Sequence, residues 1–319
     1  TRTLLTLATI GLTVGAILSI DAWMAGLVKE FEDVLGSDAE IILRQKEVSD
    51  TTQSALDERL GDRLAALPEV KAVSGMVLTA VMMPGSSGFF IVQGYAPGDY
   101  SLRRLRIVEG KALSGNRQVL VGRRMIESLK RSVGDTLIIG GSRFKIQGVF
   151  ESGVSWEETG GIISLRDAQT LVGRPRKVTI YSVKLHDPGQ AARLVERWNA
   201  ENEELNASLS GVFVDEMPDM KASYAIMDSI SLMAILVGGL GVMNTMLMAV
   251  LERTREIGVL RAVGWRRRSV LGMILKEALL LGLLGGVTGI LIAIGLSLGA
   301  ASIPLLGDLL TPGWSLPIF

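Results

Sequence analysis

The ionisable residues whose spacing could organise chemistry sit in one short stretch. It runs Glu252, Arg253, Thr254, Arg255, Glu256, Ile257, Gly258, Val259, Leu260, Arg261, Ala262, Val263, Gly264, followed by Trp265, Arg266, Arg267 and Arg268. Carboxylates and guanidinium groups are interleaved there, while Ile257, Leu260 and Val263 recur at helical spacing. That pattern predicts an amphipathic helix lying along another protein or a membrane surface. Ion pairing and docking are the chemistry on offer. Patterns for bond breaking are missing: the sequence holds no G-x-x-x-x-G-K-S/T, no H-E-x-x-H, no G-x-S-x-G and no dinucleotide fingerprint after a strand. Cysteine does not occur and His186 is the single histidine, which excludes disulfides, thiolate metal sites and paired-histidine metal sites. His186, just before Asp187 and Pro188, is expected at a surface turn. Glu157 with Glu158, and Glu203 with Glu204, read as solvated charges, because adjacent residues do not share a face. Arg103, Arg104 and Arg106 read as charges guarding a strand edge. No catalytic residue, metal site or cofactor is assigned to this chain.

The elements that must carry the docking stretch are apolar. Of 319 residues 48% are hydrophobic and 21% charged, with a mean hydropathy of +0.37, too apolar for an ordinary soluble chain. Lys+Arg and Asp+Glu both total 33, so the nucleic-acid class loses its basic footprint. Charge is absent from residues 3–20, 229–251 and 278–307. About 20 apolar residues cross a hydrocarbon core of roughly 30 Å, so each run predicts a membrane helix. A signal peptide fits the first run poorly, since it is long and contains Gly11 and Gly15 at four-residue spacing. The loop between the second and third runs carries seven basic and three acidic residues, and Arg2 precedes the first run. Both features place the N-terminus and that loop in the cytoplasm. Glycines four apart, Gly11 with Gly15, Gly282 with Gly286, Gly285 with Gly289 and Gly295 with Gly299, predict close helix packing.

The sequence therefore predicts an α-helical membrane protein with a large extracytoplasmic α/β domain of two lobes. Residues 1–28 form the first span, 29–224 the outer domain, 225–251 a stalk end and second span, 252–277 the cytoplasmic loop, and 278–303 the third span. Residues 304–319, uncharged apart from Asp308 and containing Trp314, lead toward a fourth span expected beyond the C-terminus. Further residues are also expected ahead of Thr1. Within the outer domain an α/β lobe of about 38–98 plus 177–216 is interrupted by a mostly β lobe of about 99–176. Leu56, Leu60, Leu64 and Leu67 predict a helix ending at Pro68, preceded by an N-cap cluster at 49–52. Hairpins are expected around 84–88 and 140–142, a helix over Ala191, Leu194, Val195 and Trp198, and a closing strand at 211–214. Met220, Tyr224 and Met227 at helical spacing, and Phe31, Val34 and Leu35, predict helical extensions of the second and first spans.

The loop sequence resembles the FtsX-like, MacB-type permeases of bacterial ABC transporters. An E-R-x-R-E-I-G-x-L-R-A-x-G run follows the second span in that family, and residues 252–264 match it. Residues 2–6 with Gly11 and Gly15 are similar to the family's first span, and 134–149 to its outer-domain signature. The resemblance implies a multi-pass protein of the bacterial plasma (inner) membrane, in the type VII mechanotransmission class. It implies a partner ABC ATPase, fused or separate, that binds ATP and Mg, and a second permease copy in a homodimer or homologous heterodimer. It leaves room for an adaptor or other extracytoplasmic partner. Its implied activity is export or extraction of a substrate by movement of the outer domain; the alternative is a regulatory complex that signals to a partner such as a cell-wall hydrolase. By the same resemblance Glu252, Arg253, Arg255, Glu256, Ile257, Gly258, Leu260, Arg261 and Gly264 form the ATPase-coupling segment.

Overall fold

A computed structural model of the chain describes residues 2–36, 39–82 and 89–301. It divides into two units, one of Thr1–Gly26 with Tyr224–Phe319 and one of Leu27–Ser223. The turn expected at 84–88, residues 304–319, and the side chains of Phe31 and Leu35 lie outside what is described.

Among the described residues three helices are long and apolar enough to cross a membrane: stretches Leu7–Glu30, Met220–Glu252 and Arg267–Ala300. They belong to α1 (Arg2–Gly36), α8 (Pro218–Glu252) and α10 (Arg267–Ala301), with the short α9 (Thr254–Ala262) between the last two. Each long helix is unbroken over 35 residues. At about 1.5 Å per residue that is about 52 Å, well beyond the roughly 30 Å of a hydrocarbon core. Residues 267–277, expected as loop, are the opening turns of α10: with no proline and one glycine, nothing there stops a helix. Along α8 the apolar side chains, Ile235, Val237 and Met243 among them, are exposed, as suits a surface bathed in lipid or helices.

The second unit is built from β1 (Ile41–Gln45), β2 (Leu56–Asp57), α2 (Glu58–Ala65), β3 (Val70–Met82), β4 (Phe89–Tyr95), β5 (Arg106–Gly110), β6 (Gln118–Gly122), α3 (Arg123–Leu129), β7 (Thr136–Ile139) and β8 (Ser142–Glu151). Then come α4 (Ser155–Glu158), β9 (Gly161–Ser164), α5 (Leu165–Leu171), β10 (Lys177–Val178), β11 (Ile180–Leu185), α6 (Ala191–Glu201), β12 (Leu205–Leu209) and α7 (Ser210–Glu216). Ten strands form one sheet in the order β12-β1-β11-β3-β4-β9-β6-β8-β5, with β7 on β8; β2 and β10 pair separately. Strand β3 joins two regions. Its first half pairs antiparallel with β11 and its second half with β4. Two apolar cores follow. One gathers Ile41, Leu43, Leu60, Leu64, Tyr181 and Trp198; the other Phe90, Val119, Val121, Phe144, Ile146 and Ile163. They divide within β3, between Val70 and Val77, so β4 belongs with the second core although the sequence groups it with the first lobe.

Local patterns explain most elements. Phe144 and Ile146 of β8 point inward while Arg143 and Lys145 point out, the alternation of a strand covered on one face. Leu60 and Leu64 of α2 are buried one turn apart, each stabilising by about 1.5–3 kcal/mol. That helix starts later than the leucine spacing suggests. Leu56 lies on β2, and the N-cap is Asp57, which accepts from the Arg59 amide; Asp50 caps a 3-10 turn at Thr51–Gln53 instead. The capping contacts, led by the Arg59 amide and joined by Lys177, hold the Asp57 carboxyl below its ordinary pKa.

The strand expected at 211–214 is a helix. Phe213 and Val214 are adjacent and both fully buried, which a strand with one covered face cannot achieve and α7 can. The true strand is β12, whose Asn206 and Ser208 disguise it. It pairs with β1, and the Asn199 side chain bonds both the N–H (2.7 Å) and C=O (2.9 Å) of Ala207.

Candidate coupling and helix-packing sites

The stretch 252–264 is helical over Thr254–Ala262, as its spacing predicts, and stops where its glycine allows, but its apolar residues do not keep to one face. Helix α9 ends with the Gly264 amide bonded to the Arg261 carbonyl (3.1 Å) and the Trp265 amide to that of Leu260 (3.1 Å). This closure needs a left-handed residue, and Gly264 has φ of +103°. Its role is to end the helix before α10 begins. Arg255, Glu256, Gly258 and Arg261 are exposed; Ile257 and Leu260 are half-buried. The apolar groups presented outward are Val259 (59% exposed), Val263 (77%) and Trp265 (44%). Val259 and Trp265 were not singled out from the sequence, because α9 carries apolar residues on both faces and spacing does not choose between them. Glu252 and Arg253 sit at the α8–α9 junction, where Arg253 reaches Glu277 of α10 at 3.5 Å. With both groups about half exposed, that pair contributes about 0–1 kcal/mol.

Four of the eight helix-packing glycines, Gly11, Gly15, Gly285 and Gly289, come together between α1 and α10. A Cβ on Gly11 would lie 2.5 Å from Thr288 Oγ1, and one on Gly15 would lie 2.8 Å from Ile292 Cγ2 and 2.9 Å from the Gly289 carbonyl oxygen. Gly285 and Gly289 would similarly meet Ile10 and Val14. The buried Ser19 hydroxyl donates within α1 to the Gly15 carbonyl at 2.7 Å and reaches across to the Ala293 carbonyl of α10 at 3.5 Å. A Cβ on Gly282 or Gly286, or on Gly295 or Gly299, would meet nothing within 4 Å. Of the three α10 pairs, Gly285 with Gly289 serves the α1–α10 contact and the other two face elsewhere. Gly15→Leu is expected to cost about 1–3 kcal/mol or more by overpacking and to lower the thermal midpoint of the purified protein. Gly286→Leu should leave that midpoint unchanged; equal losses in both would show that the two positions are not distinct.

The outer unit holds a buried ion pair that sequence spacing hides. Glu157 of α4 has a fully buried side chain, and its carboxylate receives two hydrogen bonds from Arg104, one of 2.7 Å from Nη1. Burial opposes the Arg104 charge, yet the Glu157 hydrogen bonds and charge hold the guanidinium pKa above its ordinary value. Beside them, burial pushes the Tyr95 hydroxyl well above the usual phenol range. Glu158 is also buried and accepts from the amides of Ser152 and Gly153, both at 2.9 Å. Neither glutamate is a solvated charge, and Arg104 does not guard an edge: the partner of Glu157 lies 53 residues away. Removing either member strands the other. Arg104→Met or Glu157→Leu alone should lose about 3–5 kcal/mol, and the double substitution should recover most of it. Chemical denaturation of the three variants checks this.

Among the described residues no three His, Asp or Glu side chains gather closely enough to hold a metal ion. A surface cavity of about 400 Å³ is lined by Glu58, Ser164, Arg166 and Arg176 among others.

Comparison with known proteins gives these features a family. Residues 3–201 match the MacB-like periplasmic core domain, and residues 229–319 the FtsX-like permease C-terminal domain. The chain belongs to the MacB-type, FtsX-like permease family. It is 34% identical over 206 residues to the macrolide export ATP-binding/permease protein MacB of Nitrobacter winogradskyi, covering 59% of this chain and 32% of that one. A stretch of 69 residues is 54% identical to the pyoverdine export ATP-binding/permease protein PvdT of Pseudomonas entomophila, covering 22% and 11%. The periplasmic region of MacB from Actinobacillus actinomycetemcomitans aligns at TM-score 0.44 and 12% identity, over 58% of this chain and 95% of that one. The chain spans about a third or less of the length of the curated relatives it matches. As a MacB-type permease it is a membrane protein, with three span-length helices among the described residues, and most of the α/β unit lies within the region matching a periplasmic core domain.

Proposed function

We propose that this chain is the permease part of an ABC exporter of the plasma membrane, working as a pair with a second permease copy. A partner ATPase, fused or separate, binds ATP and Mg. Its movements enter through α9 and leave through α1 and α8 to the outer unit, which drives export or extraction without a path through the spans. The observation that carries this reading is α9. With the turn that closes it, it presents Val259, Val263 and Trp265 to solvent beside Arg255, Glu256 and Arg261, the mixture of apolar anchors and opposite charges that suits a protein groove. Lipid headgroups alone would favour basic residues and give Glu256 no use. The named relatives export macrolides and pyoverdine, so a bulky molecule of that kind is the proposed cargo.

The test is reconstitution of the full chain and its ATPase in liposomes. ATP-dependent movement of a macrolide or pyoverdine, and ATP hydrolysis faster than by the ATPase alone, are the expected results. An ATPase that neither binds the permease nor responds to it would reject the reading.

A further inference from the structure

The two membrane helices that border the outer unit are fastened to different cores of it. Helix α8 starts directly after α7, and that junction is tied to the first core's edge. Met217 and Met220 are buried there, Arg44 of β1 donates to the Glu216 carbonyl at 3.3 Å, and Ser208 of β12 donates to the Glu216 carboxylate. The last turns of α1 hold something else. The Glu30 carboxylate accepts the backbone N–H of Trp156, in the first turn of α4, at 2.7 Å. Trp156 is itself buried. From α4 the connections run into the second core: Glu157 to Arg104 ahead of β5, and Glu158 to Arg124 of α3 at 3.8 Å and to the amides after β8.

Charge-assisted hydrogen bonds of this kind are short, directional and about twice as strong as neutral ones. Along the chain α1 leads to β1 and hence to the first core, so no covalent route takes α1 directly to α4. The Glu30 contact spans 126 residues of sequence and adds a second hold.

We propose that Glu30 is a mechanical joint: through it α1 grips the second core while α8 grips the first, so that relative motion of the two helices shifts one core against the other. This rests on the mechanical coupling proposed above and specifies where it enters the outer unit. Glu30 acts through α4 as a positioning residue. The two cores share β3, which pairs with the first in one half and the second in the other, so bending of that strand is the compliant element.

Glu30→Ala and Glu30→Gln in the full-length, ATPase-coupled complex test the joint. With Ala, hydrogen exchange at the Trp156 amide should accelerate about tenfold or more, and substrate moved per ATP hydrolysed should fall at least about fivefold, while basal ATP hydrolysis and the thermal midpoint hold. Gln keeps an acceptor oxygen and should fall between. Export per ATP at the normal value in Glu30→Ala overturns the proposal. If the Ala variant does not assemble, the Gln variant decides: normal export per ATP and normal Trp156 exchange overturn it, and losses in both support it. A Gly/Ser insertion in α8 separates the two levels. If that insertion stops export and Glu30→Ala does not, only the joint is wrong; if neither matters, mechanical coupling itself is wrong.

Discussion

Reversing the charge of Glu256 should abolish stimulated ATP hydrolysis in the coupled complex while membrane insertion stays normal. Glu256 lies in the first turn of α9, exposed, with Arg255 before it and Val259 less than a turn ahead. A carboxylate near a helix N-terminus is favoured by the helix dipole, so Glu256→Arg loses about 0.3–1 kcal/mol of local helix stability as well as any partner charge. The greater loss falls at the interface with the ATPase. Truncating one partner of a buried, hydrogen-bonded charge pair costs about 2–5 kcal/mol, and a reversal places like charges together. Every 1.4 kcal/mol is tenfold in affinity, so the ATPase should bind about 30-fold to several-thousand-fold more weakly. Val259→Asp or Val263→Asp should do as much, because each puts a charge where the exposed apolar stripe would be covered. Insertion is governed by the arginines of the loop, which these changes leave in place. Stimulated hydrolysis at the normal level in Glu256→Arg would sink the docking assignment, whereas loss together with failed insertion would point to topology instead.

What the sequence revealed and what it hid follow from the range of the interactions. The spans were legible because charge-free runs near residues 3–20, 229–251 and 278–307 have few other fates. Helix α6 was legible from Leu194 and Trp198, and β8 from Phe144 and Ile146, since a buried face imprints its period on neighbouring residues. The Glu157–Arg104 pair left no such imprint. Two adjacent glutamates look solvated until a partner from 53 residues away is brought beside one of them. Strand β12 was missed for a related reason: its Asn206 and Ser208 lower the strand signal, and pairing with β1 and Asn199 overrides it. The packing glycines were half legible. Spacing of four picked out Gly11, Gly15, Gly285 and Gly289 together with Gly282, Gly286, Gly295 and Gly299, but only a neighbouring helix decides which pairs are covered. Glu30 offered no signal at all, because its acceptor role depends on a backbone amide and not on a side-chain pattern.

A short Gly/Ser linker inserted after Tyr224 should stop export in an otherwise intact complex. Helix α8 is continuous from Pro218 to Glu252, and after Pro218 it meets no glycine until Gly238. An unbroken helix carries tilt, rotation and axial shift from one end to the other, since each turn is fixed to the next by its hydrogen bonds. Gly/Ser segments behave as flexible coil and absorb such motion. Each glycine also costs roughly 1 kcal/mol relative to alanine in a helix interior, so four would not be held helical by their neighbours. ATP hydrolysis and partner binding at α9 should persist, because neither requires force to reach the outer unit. The expected signature is therefore hydrolysis without transport, with export down by about tenfold or more, measured in the same liposomes. A control insertion of four alanines keeps the helix but turns it by about 40°, since four residues exceed one 3.6-residue turn. It should transmit force and retain part of the activity. Export at the normal rate with the Gly/Ser insertion would show that α8 does not carry the motion, and would return the coupling route to α1 alone.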